Sequence, residues 1–169
     1  MRQSNAGISR NRMNLDSAGR APLNADNVSA AADLYGPIAA VRRDRLDRLV
    51  AQIRSRRREP RVCLYALSVD GHAPRTSFEL ARAYAESQSW QVAPGQSYAD
   101  RAGATSPECR PGWGLVRDRI RAGFTDGVVV VTADAIGLHV DEYRRELDWF
   151  AEHCAFVALV MPETVGRLA

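Results

Sequence analysis

The sequence contains no lysine, and all 23 of its basic residues are arginine. Such a bias is typical of a G+C-rich bacterial gene, so we interpret it as compositional and not as functional. Long apolar runs are lacking as well, since none approaches the roughly 20 residues that a membrane-spanning helix needs. The arginines near the amino terminus have no apolar stretch behind them. No secretory signal is therefore indicated, and we expect a cytoplasmic protein.

Cysteine is scarce, and the three cysteines stand far apart at positions 63, 109 and 154. No two of them form a C-x-x-C pair, which excludes a zinc ribbon and argues against a disulfide framework. Because Cys63 and Cys154 lie inside apolar segments, we predict that both are buried structural thiols. The histidines lack the spacing of metal ligands, and the glycines between residues 103 and 114 match no phosphate-binding loop. We therefore expect neither a metal nor another cofactor.

Charge is divided unevenly along the chain. Residues 1–60 contain 12 arginines and 6 acidic residues, a net charge of +6, whereas residues 61–169 contain 11 arginines and 14 acidic residues, a net charge of −3. Residues 1–27 are rich in small and polar side chains without periodicity, so we expect them to be disordered. The pattern predicts three parts: a tail at 1–27, a basic helix at 28–60 and a globular domain at 61–169.

Residues 30–59 show the periodicity of an amphipathic helix. Pro37 fits the first turn of a helix, and Pro60 is expected to end it. The apolar positions recur at helical spacing: Ile38, Val41, Leu46, Leu49, Val50 and Ile53. Arginines dominate the opposite face: Arg42, Arg43, Arg45 and Arg48. We therefore predict a basic helix with one apolar side.

The carboxyl end of this helix carries a further group of arginines, which we interpret as a contact surface for an anionic partner: Arg54, Arg56, Arg57 and Arg58. Guanidinium groups suit phosphates because their forked donors match phosphate oxygens. DNA is the first candidate partner and an acidic protein the second. Two other interpretations stay open. In the first, the apolar stripe packs on the domain and the arginines face solvent. In the second, the helix lies on a membrane surface.

Strands and helices alternate after Pro60. Apolar runs of strand length occupy residues 62–69, 127–132 and 155–161, and a short strand is predicted near residues 90–93. Helical segments lie between them, with these signals: a capping box at residues 76–79, Pro111 at a start, Gly123 at an end, and an apolar stripe through Val140, Tyr143, Leu147 and Phe150. The order β-α-β-α-β-α-β predicts an α/β fold with a small, mainly parallel sheet and helices on both faces.

Two of these segments resemble the catalytic domain of serine recombinases, the family of resolvases and invertases. Residues 65–69 read YALSV where the family's first strand reads Y-x-R-V-S, and residues 134–138 read DAIGL where its third strand leads into D-R-L-S-R. Residues 81–90 resemble the family's first helix. An acidic loop residue and an arginine ahead of a helix have counterparts in Asp100 and Arg110. The resemblance implies a resolvase-like fold across the globular part.

The same resemblance shows which catalytic residues of the family this chain lacks. In the family a serine attacks a DNA phosphodiester while several arginines hold the phosphate. Here the serine position is Val69, and three arginine positions are occupied by Leu67, Ala135 and Leu138. Four positions keep the family's residue: Tyr65, Asp100, Arg110 and Asp134. The resemblance therefore implies a degenerate recombinase domain that is not an enzyme.

The retained residues also fit ordinary structural roles. Tyr65 suits a core position with a bonded hydroxyl, Arg110 a solvated loop, and Asp134 the cap of a turn or helix. Ser68 faces away from Leu67 along an alternating strand, and only a bulge would turn its hydroxyl toward the family's active site. A replacement nucleophile is therefore not expected.

From these observations we expect a non-catalytic, resolvase-like domain that acts in interaction or regulation. Its partner hypotheses are DNA or an acidic protein at the basic helix, and a homo-oligomer. Two alternatives remain at this point: an active enzyme of DNA strand transfer, and a flavodoxin-like scaffolding or sensing module unrelated to DNA. The fold class alone does not choose among them.

Overall fold

The computed structural model describes residues 25–68, 74–103 and 106–163, with side chains from residue 34 onward. Of the tail predicted at 1–27, residues 1–24 lie outside the described residues, as does Val69. Residues 25–27 belong to the first helix, so the disorder expected for these three residues is wrong. The first helix begins at Ala25, three residues before the predicted boundary of the basic helix.

Helices and strands alternate through the described residues. The helices are α1 (Ala25–Ser55), α2 (Arg75–Ser87), α3 (Pro111–Arg121) and α4 (Val140–Glu152). The strands are β1 (Arg61–Ser68), β2 (Gln91–Arg101), β3 (Gly127–Val130) and β4 (Phe156–Leu159). From β1 onward the order is the predicted β-α-β-α-β-α-β, and the predicted α/β class is confirmed.

The four strands form one sheet in the order β2-β1-β3-β4, and every pair in it is parallel. All residues of β3 and β4 are buried, as expected for parallel strands that helices cover on both faces. Because each helix leads back to the start of the next strand, the carboxyl ends of the strands share one edge of the domain. In parallel α/β sheets this edge is where ligands bind.

Two apolar cores lie on opposite faces of the sheet. One contains residues of α3 and α4, such as Trp113 and Phe150, and the other contains residues of α2, such as Ala81 and Ala85. Helix α1 contributes to both, with Tyr35 and Ile38 in the first core and Val50 and Ile53 in the second. Helix α1 therefore crosses the outer edge of β4, and the prediction of helices on both faces is confirmed.

Two expectations for α1 are wrong, one about the position of Pro37 and one about which face of the helix is buried. Pro37 lies inside the helix and not at its start. Val41, which we assigned to the apolar stripe, is 64 % exposed, whereas Arg42, which we assigned to the solvent face, is 7 % exposed. The buried face shifts along the helix because it must contact first α4 and then the far side of the sheet. An ion pair with Glu163 makes the burial of Arg42 possible.

Several local predictions also need correction. The second strand runs from Gln91 to Arg101, well beyond the predicted residues 90–93, with a register irregularity opposite Val62 and Leu64 and with Gly95 at a φ of 74°. Such a bulge lets Pro94 lie within a strand. The capping box predicted at residues 76–79 is wrong, because the N-cap is Pro74 without a side-chain hydrogen bond.

Of the two predictions that a cysteine is buried, one is confirmed and one is wrong. Cys63 is buried, and burial is the main cause that raises the pKa of its thiol to about 12. Cys154 is exposed, so its predicted burial is wrong. It lies in the turn after α4 with a φ of 52°, a conformation that brings the chain round into β4 and leaves this side chain in solvent. The predicted helix end at Gly123 is confirmed, with a φ of 71° just after α3.

Candidate functional site

A groove of about 310 Å³ lies at the carboxyl ends of β1 and β3, where the resemblance places recombinase chemistry. The three positions at which this chain lacks the family's arginines all line it: Leu67, Ala135 and Leu138. The rest of the lining is Tyr65, Ala66, Ser77, Ala102, Val131, Thr132 and Asp134. Within the described part of the chain, no guanidinium group contributes to this lining. The groove therefore offers an apolar surface with few polar atoms.

Asp100 joins three elements next to this groove. Its Oδ1 accepts a hydrogen bond from the backbone N–H of Gly112 at 2.8 Å, and its Oδ2 accepts one from the N–H of Trp113 at 2.9 Å. The hydroxyl of Tyr65 donates to the same Oδ2 at 3.0 Å. A carboxylate at the first turn of α3 complements the helix dipole. Asp100 therefore fixes α3 against β1 and β2.

The close packing of α3 against β2 explains why residue 112 is a glycine and why the pKa of Tyr65 is raised. A Cβ at Gly112 would lie 2.8 Å from the carbonyl oxygen of Ala99, so no larger residue fits without a shift. Burial, together with the charge of Asp100 and its hydrogen bond, raises the pKa of Tyr65. The hydroxyl of Tyr65 is therefore a neutral donor in a packed core, as we expected from the sequence.

Arg110 is buried, with an exposed fraction of 4 %. Its Nη1 donates to the carbonyl oxygens of Ala135 at 2.9 Å and of Ile136 at 3.1 Å. The solvated loop position, which the sequence left open as one interpretation of Arg110, is excluded by this burial. The carbonyls at the end of the short 3₁₀ helix Ala133–Ala135 need donors, and Arg110 supplies them. Arg110 thus holds the wall of the groove that contains Ala135.

Of the two remaining candidates at this end of the sheet, Asp134 lines the groove and Ser68 does not. Asp134 is half-buried, lines the groove and lies inside the 3₁₀ helix, whose N-cap is Thr132 and not Asp134. The hydroxyl of Ser68 donates to the backbone oxygen of Asp100 at 3.2 Å. Ser68 is not part of the groove lining, whereas Ser77, which the sequence analysis did not single out, is. Its place in the first turn of α2 was the available signal.

The four arginines at the end of α1 lie at the opposite end of the sheet, where the strands begin. Arg58 binds both carboxylate oxygens of Asp126, at 2.6 and 2.7 Å. Arg54 donates to Glu59 and to the backbone oxygen of Gln88. The side chains of Arg56 and Arg57 are exposed and form no hydrogen bond or ion pair with other described residues. The structure thus divides the predicted surface into two arginines held by the domain and two that point to solvent.

Asp126 shows how strongly one half of this surface is tied to the domain. It also accepts a hydrogen bond from the backbone N–H of Arg61 at 2.8 Å. Burial by itself raises the pKa of Asp126, but the hydrogen bonds and charges of Arg58 and Arg61 outweigh it and hold that pKa below its usual range. Asp126 is therefore ionised and occupied within the domain.

A second buried polar cluster joins α1 to the far end of the chain, and the sequence analysis missed it. Arg42 binds Glu163 through Nε at 2.6 Å and Nη2 at 3.1 Å, and its Nη1 donates to the backbone oxygen of Val157. The hydroxyl of Tyr143 donates to Glu163 at 3.1 Å. An acidic residue shortly after the predicted apolar strand at 155–161 was the available signal for Glu163.

Among the described residues, no group of three or more His, Cys, Asp or Glu side chains is placed to hold a metal ion. No helix in the same part of the chain combines the length and apolar character that crossing a membrane requires.

Comparisons with known proteins give matches in structure and none in sequence. No family profile matches the chain, and no curated protein sequence does. The C-terminal catalytic domain of ISC1926 TnpA, an IS607-like serine recombinase, matches with a TM-score of 0.53 and 15% identity, over 60% of this chain and 71% of that one. The N-terminal catalytic domain of TP901-1 integrase matches with a TM-score of 0.51 and 23% identity, over 59% and 76%.

At these identities the likeness concerns the fold. This chain has the fold of serine recombinase catalytic domains, and the resemblance that we found in the sequence is confirmed at that level. The chemistry of those domains does not follow from a shared fold, because function depends on the residues of the site.

Proposed function

We propose that this chain is a non-catalytic domain with the serine recombinase fold, which acts in interaction or regulation and does not cut DNA. The observation that carries the proposal is the lining of the groove at the carboxyl ends of β1 and β3. Leu67, Ala135 and Leu138 present alkyl groups there. Phosphoryl transfer depends on preorganised positive charge around the transferring group, and the described residues of this lining supply none.

The polar groups nearby are already engaged. Arg110 donates to two backbone carbonyls, and Asp100 accepts from two backbone N–H groups and from Tyr65. Releasing Arg110 to meet a phosphate would leave the backbone carbonyls of Ala135 and Ile136 without this donor, which costs about 1–3 kcal/mol for each group. The carboxylate of Asp100 would repel a phosphate. These residues therefore support the packing of α3 and of the groove wall.

The proposal is tested by asking whether the protein breaks or captures DNA. The full chain is incubated with a supercoiled plasmid library of genomic fragments and analysed on denaturing gels, beside an active serine recombinase on its own site. We expect the plasmids to stay supercoiled and no protein to remain attached to DNA. Ser68→Ala and Ser77→Ala serve as variants. A covalent adduct that either substitution removes would show that the chain is an enzyme.

For the interaction itself, we propose that Arg56 and Arg57 contact an anionic partner, with DNA the first candidate. Both side chains are exposed, and they stand next to Arg54, Arg58 and Arg61, which keep positive charge at the same end of the sheet. Asp126 neutralises only one of the two arginines that share it, so an excess of positive charge remains. Nothing on this surface resembles an element that reads a DNA groove, so we expect binding without sequence preference.

Fluorescence anisotropy with a labelled duplex over a salt series measures this contact. Binding is expected to weaken steeply with salt, because each phosphate contact releases counterions. The variant Arg56→Gln/Arg57→Gln should bind more weakly, whereas Arg75→Gln/Arg82→Gln, which removes the same charge from exposed positions on α2, should not. Absence of binding at low salt, or equal losses in the two variants, would contradict a contact at this place.

A further inference from the structure

Helices α1 and α4 enclose a shallow groove of about 280 Å³ on the side of the domain away from β2. Four apolar residues and two charged residues line it: Pro37, Ile38, Val41, Leu147, Arg144 and Asp148. Val41 is 64 % exposed although it lies in the middle of a long helix. An apolar strip with a charged margin is the usual composition of a protein-binding surface.

The strip continues along α1 beyond the groove. Leu34 is 57 % exposed and stands seven residues before Val41, so the two side chains lie on the same face of the helix, two turns apart. The core does not need either residue, because Tyr35, Ile38 and Ala39 are the residues of this part of α1 that are buried. The exposed face of α1 therefore presents aliphatic groups to solvent.

The charges at the margin are of both signs and unpaired. Arg144 and Asp148 stand one turn apart on α4, on either side of Leu147, and neither forms an ion pair with a described residue. Arg45 lies near the same aspartate, in the small adjoining cavity, and is likewise without an ion pair in the described part of the chain. An arginine and an aspartate flanking one apolar residue form a pattern that is complementary to its own antiparallel copy.

We propose that a second copy of this chain binds here, so that the α1–α4 grooves of two molecules face each other about a two-fold axis. In such an interface the same patch is used on both subunits. Arg144 of each subunit then meets the partner subunit's Asp148, while Val41 and Leu147 fill the apolar centre between them. This association rests on α1 and α4 alone and is independent of whether the groove at the strand ends is catalytic.

Sedimentation velocity of the full chain over a concentration series tests the proposal. We expect a monomer–dimer equilibrium whose midpoint lies within the accessible range, since a small patch gives weak association. Val41→Arg should raise the dissociation constant about tenfold or more, because it places a charge at the apolar centre. Leu115→Arg is the control, since Leu115 is 48 % exposed on α3 and lies outside the groove.

Charge reversal then separates contact between subunits from effects within one helix. Arg144→Asp alone places two aspartates in each margin, and Asp148→Arg alone places two arginines there, so each variant should dimerise less than the original chain. Mixing the two variants should restore dimers, because every aspartate then meets an arginine of the other subunit. Repulsion within a helix is unchanged by mixing and cannot produce this result.

Three outcomes would overturn the proposal. The first is a full chain that stays monomeric at every accessible concentration, as expected if residues 1–24 or another partner covers the groove. The second is a dimer that Val41→Arg and Leu115→Arg affect equally. The third is a mixture of the charge-reversed variants that associates no better than either variant alone.

Discussion

Two buried clusters in this domain have the same composition and different architectures. Each contains a tyrosine, a carboxylate and an arginine: Tyr65, Asp100 and Arg110 at the groove, and Tyr143, Glu163 and Arg42 beneath α1. In both, the tyrosine hydroxyl donates to the carboxylate, at 3.0 and 3.1 Å. The arginines differ. Arg42 binds its carboxylate directly, whereas Arg110 donates to the backbone oxygens of Ala135 and Ile136.

The difference shows what each cluster stabilises. Asp100 is neutralised by the amino end of α3, so Arg110 is left to support the groove wall, and the cluster fastens local elements of the recombinase fold. Glu163 receives its counter-charge from Arg42, which binds both of its carboxylate oxygens. The second cluster therefore fastens α1 to the sheet through one ion pair, and we expect the two clusters to respond differently when single groups are removed.

The largest effect should come from removing Arg42. Arg42→Ala leaves Glu163 buried without its cation, and breaking a buried ion pair from one side costs about 3–5 kcal/mol. The free energy of unfolding, measured by urea denaturation, should fall by that amount. Arg43→Ala is the matched control, because Arg43 is exposed and its Nε donates to a backbone oxygen of its own helix. A loss below about 1 kcal/mol for Arg42→Ala would mean that α1 is held by its apolar contacts alone.

A double variant sharpens this comparison. Arg42→Met/Glu163→Leu removes both charges, so no unpaired ion remains, and the double variant should lose less stability than the sum of the two single variants. Additive losses would show that the two side chains do not stabilise each other, contrary to the distance of 2.6 Å between Arg42 Nε and Glu163 Oε1.

The groove cluster should give a smaller loss. Asp100→Ala removes the acceptor for Gly112, Trp113 and Tyr65, and the expected cost is about 2–3 kcal/mol, in the range for hydrogen bonds to a charged group. Asp118→Asn, at an exposed position of α3, is the control. A loss as large as that of Arg42→Ala would remove the distinction between the clusters.

The pH dependence of stability should report on the second cluster. Burial by itself raises the pKa of Glu163, but the hydrogen bonds and charge of Arg42 outweigh it, and the pKa is held below its usual range. A carboxyl group with a lowered pKa stabilises the fold fully above its unfolded pKa. That contribution is lost as the pH falls through the folded value, so the original chain should lose stability steeply below about pH 5. Glu163→Gln should be less stable at neutral pH and show a flatter decline, in urea denaturation repeated from pH 7 to acid.

The sequence predicts the first cluster better than the second because of how far apart the partners are. The strands come from local apolar runs, and Tyr65, Asp100 and Arg110 stand at positions where a recombinase resemblance gives them a place. Arg42 and Glu163 are separated by 121 residues, and no periodicity links them. Helical spacing put Arg42 on the solvent face, since a pattern cannot show that the helix crosses a sheet edge.

The residues around the groove show the same limit of sequence-based prediction, although their partners are nearer to each other in the chain. The resemblance indicated that Leu67, Ala135 and Leu138 share one surface, and the structure places all three in one lining. The sequence did not reveal that Arg110 is buried, because its partners are backbone oxygens of another loop and backbone groups leave no signal in residue types. It also did not reveal Ser77, because membership of a groove depends on where α2 begins relative to β1.

The smallest effects should come from the two tyrosine hydroxyls, and here the clusters should agree. Tyr65→Phe leaves Asp100 with two backbone donors, and Tyr143→Phe leaves Glu163 with Arg42, so neither carboxylate becomes an isolated charge. Each substitution should therefore cost about 0.5–1.5 kcal/mol in urea denaturation, the usual worth of one hydrogen bond. Tyr84→Phe, in a half-buried position on α2, should change stability least and is the control. A loss near 3 kcal/mol for Tyr65→Phe alone would indicate that its hydroxyl organises the whole groove, and the first cluster would then depend on a single group as the second depends on Arg42.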